Sequence, residues 1–70
     1  MEVFYIKDDF IKLGQALKAA GLVENGAMAK EEVQSGAVKV NGETDLRRGR
    51  KLVDGDVVEY RGQSLKIGKR

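Results

Sequence analysis

The sequence predicts an α+β fold in which a helix pair packs on a small, mostly antiparallel sheet. Three observations predict it. Apolar residues recur at spacings of three and four, at Phe10, Leu13, Leu17 and Ala20 and again at Ala29 and Val33, as one face of each of two helices requires. Beyond Gly36 the period changes to the alternation of Val38-Lys39-Val40. Asn41-Gly42 and Arg61-Gly62 then supply tight-turn signals.

The elements follow in order. Residues 3–6, Val-Phe-Tyr-Ile, are branched and aromatic and predict a first strand. Asp8 and Asp9 have side-chain oxygens able to cap the helix that comes next, over residues 12–20. Lys12, Gln15, Lys18 and Ala19 fall off its apolar face. Gly21 stops that helix, and Leu22-Val23 forms a short buried link. Asn25 caps a second helix over residues 26–35, with Lys30, Glu31 and Gln34 turned outward and Gly36 as its stop. Helices joined so closely should pack together. A strand at 38–40, a charged loop at 43–51, a return to the core at Leu52 and Val53, a strand at 57–60 and a last strand at 64–67 complete the sheet. The tail, Gly68-Lys69-Arg70, is expected to fray.

At 70 residues the chain predicts one domain over 1–70, since a second core could not be built from so little. Cysteine is absent, which excludes a disulfide framework and thiolate chemistry and fits a reducing compartment. No apolar run approaches the roughly 18 residues of a membrane span. The N-terminus lacks the pattern of a signal peptide. A soluble, cytoplasmic monomer is the expectation.

The net charge of +2 is unevenly spread. Residues 1–35 carry four Lys/Arg against six Asp/Glu, and residues 36–70 carry nine against five. The densest cluster is Arg47-Arg48-Gly49-Arg50-Lys51, four cations in five residues. A localised basic patch suits an anionic partner, although a solvated loop would have the same composition.

Catalysis is hard to build from this chain. There is no His, and so no ordinary general base or imidazole ligand. Ser35 and Ser64 have no imidazole to activate them. Glu31 and Glu32 are helix neighbours that point apart, and the remaining Asp residues stand where caps and turns need acceptors. No glycine-rich nucleotide loop is present. No cofactor or metal is expected. Binding is easier: Arg offers phosphate a planar fork, and Lys adds a mobile charge. Phe4, Tyr5, Phe10 and Tyr60 all look partly core, which leaves few stacking platforms and favours recognition of a helical backbone by shape and charge.

Several strings form a known pattern. They are residues 13–18 (Leu-Gly-Gln-Ala-Leu-Lys), 20–23 (Ala-Gly-Leu-Val), 26–30 (Gly-Ala-Met-Ala-Lys), 36–42 (Gly-Ala-Val-Lys-Val-Asn-Gly), 47–52 (Arg-Arg-Gly-Arg-Lys-Leu) and 55–58 (Gly-Asp-Val-Val). In this order and spacing they resemble the RNA-binding domain named after small-subunit ribosomal protein S-four, closest to its small stand-alone bacterial members. The resemblance spans roughly residues 10–60 and implies that a helix pair and an adjoining loop form one RNA-contacting surface. Carried over by position, the RNA-facing residues would be Asn25, Lys30, Lys39, Arg47, Arg48, Arg50 and Lys51. Many relatives begin the second helix with Ser-Arg where this chain has Asn25-Gly26, which shifts the expected work toward the loop. The expected partner is structured RNA: ribosomal RNA, tRNA or a stem-loop. The alternatives are a protein-interaction module that meets an acidic partner, a double-stranded DNA binder, or a regulatory module parted from a catalytic domain.

Overall fold

Seven short strands and two helices account for the chain, and the computed structural model describes residues 1–70. In chain order they are β1 (Glu2–Ile6), β2 (Ile11–Lys12), α1 (Leu13–Ala19), α2 (Gly26–Gln34), β3 (Val38–Val40), β4 (Glu43–Thr44), β5 (Lys51–Leu52), β6 (Val57–Tyr60) and β7 (Gln63–Lys69). Five strands form one sheet in the order β1-β7-β6-β3-β4, and β2 pairs with β5 in a separate ribbon. Every pairing is antiparallel except β1 with β7, which run parallel. This is the α+β architecture expected.

Register decides which side chains the sheet buries. Val38 faces Tyr60, Val40 faces Val58, and Val58 faces Leu65 across adjacent strands. These residues, with Ile6 and Ile67, form one apolar face, because alternate residues share a side of the pleat. Leu13, Ala16 and Leu17 of α1 and Ala29 and Val33 of α2 cover it. Leu13, Leu17, Val33, Val38, Leu52, Val58 and Ile67 are wholly buried. Each large side chain of this kind contributes about 1.5–3 kcal/mol through removal from water. The opposite face carries Lys39, Glu59 and Lys66 and meets solvent.

Both helices stop at glycine in the left-handed region, Gly21 (φ +77°) and Gly36 (φ +87°). At the first stop, Leu22 N–H donates to Leu17 O and Gly21 N–H to Lys18 O. At the second, Ala37 donates to Glu32 O and Gly36 to Val33 O. These paired bonds satisfy carbonyls that the helix leaves free. Asn41 (φ 52°) and Arg61 (φ 48°) lead two-residue hairpin turns, and both adopt the positive φ that the right-handed twist of the flanking strands selects.

Four expectations are corrected. Asp8 and Asp9 do not cap α1: its N-cap is Lys12, with no side-chain cap bond, and Asp9 instead accepts from Lys69 Nζ at 2.6 Å. Phe10 lies before the helix and is 39% exposed, and Tyr5 is 55% exposed, so neither is core. Val53 is exposed as well. The tail does not fray: β7 runs to Lys69 beside β1, and Arg70 N–H donates to Ile6 O at 3.0 Å.

Candidate nucleic-acid interface

The charged loop after β4 could have been loose, given its composition. It is fastened in two ways. Its backbone carbonyls close the open end of α1, with Leu13 N–H donating to Arg50 O at 2.8 Å and Gly14 N–H to Arg48 O at 2.9 Å. A helix N-terminus always presents unpaired N–H groups, and here the loop satisfies two of them where a side-chain cap is missing. The second fastening is Asp45, the buried acidic side chain at the start of the loop, 6% exposed. It accepts from Arg47 N–H (2.9 Å), Arg47 Nε (3.2 Å), Arg47 Nη2 (3.0 Å) and Arg50 Nη1 (2.8 Å). Hydrogen bonds from the Arg47 guanidinium, then those from Arg50 and the Arg47 backbone, hold the Asp45 carboxyl well below the usual carboxylate range despite its burial. Reciprocally, Asp45 pushes the Arg47 guanidinium up.

Fixing the loop against α1 creates a groove of about 300 Å³. Lys12, Gly14, Gln15 and Lys18 form one wall, Gly26 and Ala29 at the start of α2 a second, and Arg48 with Gly49 the third. Gly14 is required by close approach: a Cβ there would stand 2.6 Å from Arg48 Cγ. Only glycine lets the Arg48 side chain lie against the first turn of α1. Three cations from two separate segments thus converge on a concave surface whose polar groups suit a phosphate backbone.

The sequence-predicted residues divide. Arg48 lines the groove. Arg47 and Arg50 share the Asp45 carboxylate, with side chains 72% and 29% exposed. Lys51 places Nζ 4.8 Å from the centre of the Phe10 ring. Asn25 caps α2 by accepting from Met28 N–H at 2.8 Å. Lys30 is exposed on α2 without lining the groove. Lys39 lies between the buried Val38 and Val40, so it projects from the sheet face opposite the helices and the structure does not bring it to the groove.

Lys12 and Gln15 line the groove beside Lys18, and nothing in the sequence reading gives these two a binding role, whereas Lys18 is there a cation that the helices contribute. Their spacing of three is a polar stripe on α1, and it was the available signal. Asp45 left no such signal, since one acid in a charged loop reads as solvated. Elsewhere, Glu32 of α2 accepts from Tyr60 Oη (2.8 Å) and Arg61 Nη2 (2.9 Å), which ties helix to sheet. The Tyr60 hydrogen bond, then that from Arg61, lowers the Glu32 carboxyl. No cluster of His, Cys, Asp or Glu is arranged to hold a metal ion, and no helix is long and apolar enough to cross a membrane.

Known proteins are similar to this chain in sequence and fold. The chain is 51% identical over 57 residues, 81% of its length and 80% of the relative's, to a Bacillus subtilis protein named probable ribosome maturation protein RlbA. It is 36% identical over 61 residues, 87% of each chain, to the putative RNA-binding protein YbcJ of Escherichia coli. The solution structure of E. coli YbcJ, described as revealing a motif involved in RNA binding, superposes with a TM-score of 0.75 at 35% identity, covering 97% of this chain and 87% of that one. The S4 domain family matches residues 4–68, and the chain belongs to that family.

Proposed function

We propose that the protein is a non-catalytic RNA-binding protein that seats the backbone of structured RNA in the groove between α1, the start of α2 and the basic loop. The observation that carries this reading is the convergence of Lys12, Lys18 and Arg48 on one concave surface, with Arg47 and Arg50 held in order beside it by Asp45. Scattered surface lysines would not need a glycine cleared for an arginine or a buried acid to order two more. The names of the B. subtilis and E. coli relatives support the same reading and make ribosomal RNA the first ligand to test, in the cytoplasm.

Each phosphate neutralised should contribute about −0.7 to −0.9 to the slope of log affinity against log salt. The experiment titrates the protein with a ribosomal RNA hairpin, a DNA duplex of the same sequence and an acidic peptide, each at several salt concentrations. RNA should bind tightest, with a slope near −3 or steeper. Equal affinity for DNA would remove the preference for RNA, and tighter binding of the peptide would assign the groove to an acidic protein partner.

A further inference from the structure

A second concavity adjoins the groove and differs from it in chemistry. It encloses about 450 Å³, and six of its ten lining residues are apolar, among them Phe4, Ile6, Phe10, Ile11 and Ala19. Gln15 and Lys18 line both this cleft and the basic groove, so the two surfaces are continuous. Phe10 stands outside the core cluster, 39% exposed, with the Lys51 ammonium 4.8 Å from its ring centre. It also borders a shallow depression that contains Lys12 and Gln15.

Resting on the reading that the groove holds RNA backbone, we propose that this cleft seats one unpaired base of the same RNA, stacked on Phe10. The lining is mostly apolar, which suits the face of an uncharged base, and Lys7 and Lys18 among its charged members can meet the phosphates that flank that base. An exposed aromatic ring is a sequence-tolerant surface for stacking, because every base has a π-face. Gln15 supplies both a donor and an acceptor for a base edge. From Gln15 to Lys18 the axis of α1 rises only about 4.5 Å, so one nucleotide bridges from groove to cleft. The RNA recognised is therefore a helical segment interrupted by a bulge or flanked by a loop, where an unstacked base is available.

The test uses two RNA hairpins, identical except that one carries a single unpaired 2-aminopurine in its stem. The wild-type protein should bind the bulged hairpin about tenfold more tightly and quench its fluorescence. Phe10→Leu should bring the bulged hairpin down to the affinity of the paired one and leave the latter unchanged. Phe10→Trp should keep the preference. Because Phe10 is outside the core, both variants should melt near the wild-type temperature. Equal binding of the two hairpins by wild type, or a preference that survives Phe10→Leu, overturns the base seat while leaving the groove standing. Binding of neither hairpin overturns the groove reading as well. Self-association that Phe10→Leu abolishes would assign the cleft to a second copy of the chain and overturn the proposal.

Discussion

Asp45 and Glu32 each accept hydrogen bonds from an arginine guanidinium, at 2.8 and 3.0 Å in one case and 2.9 Å in the other. Arg47 and Arg61, their most exposed partners, are nearly alike at 72% and 67% exposure. The difference lies in where the acid belongs. Asp45 sits inside the loop that carries its arginines, so the contact orders that loop and leaves Arg47 facing water with Arg50 half-buried beside it. Glu32 belongs to α2 and its partners to β6 and the following turn, so the contact braces a helix on the sheet. The same pair of side-chain types thus organises a binding surface at one end of the molecule and supports the core at the other. It follows that cations at the binding end should be separable from stability only where no buried acid depends on them.

The largest effect should come from cations that hold no acid. Lys12→Ala, Lys18→Ala and Arg48→Ala together should lower RNA affinity about a hundredfold at 0.1 M salt and flatten the salt slope by about two to three units. Melting should scarcely change, as for most surface substitutions. Truncating Arg47 and Arg50 instead would lower affinity and stability at once, because Asp45 would be left buried with only the Arg47 backbone N–H as a partner.

Asp45→Asn should act mainly on stability, with a loss of about 1–3 kcal/mol in urea unfolding, as one of its two accepting oxygens becomes an NH2 group to which no guanidinium can donate. The pH dependence has a definite sign. The folded state binds the Asp45 proton less readily than the unfolded chain does, so the stabilisation is present above about pH 4 and is lost progressively as pH falls below it. The variant should have a flatter acid limb than wild type. An identical limb in both would mean that other carboxylates govern acid unfolding.

Gly14→Ala should separate the two properties. Alanine is favoured over glycine in a helix interior by about 0.5–1 kcal/mol, which offsets part of the cost of displacing Arg48, so melting should change little. Arg48 must swing away from the new methyl group, and RNA affinity should fall about fivefold, the worth of one phosphate contact at 0.1 M salt. Full affinity would show that Arg48 works equally well from another rotamer. The smallest effect should come from Glu32→Gln: a modest fall in melting temperature, and RNA affinity within about twofold of wild type because Glu32 is outside the groove.

Local signals account for what was legible in the sequence. Asn25, Gly21 and Gly36 act through bonds to their own neighbours, Asn41-Gly42 makes its turn through its own positive φ, and each was readable from residue type alone. Apolar spacing likewise placed Leu13, Leu17, Ala29 and Val33 in the core. The illegible parts depend on partners distant in the chain. Phe10 matched the helical spacing, but β2 pairs with β5, and that ribbon starts α1 only at Leu13. Asp45 became buried because two arginines folded over it. Lys12, Gln15 and Gly14 gained significance only when the loop docked on α1. The basic cluster was visible, but its division into one groove arginine and two tethered ones was not.

The parallel pairing of β1 with β7 sets the order in which the chain can assemble. Phe4 sits opposite Ile67, so the first strand finds its only sheet partner in the last. Closing so long a loop carries an entropic penalty that the nearer pairings avoid, and contacts of high sequence separation slow folding. The two helices and the β3–β6 and β6–β7 pairings span shorter loops. During synthesis, β1 leaves the ribosome with no edge to join, and the circuit closes only when residues 63–69 have followed it.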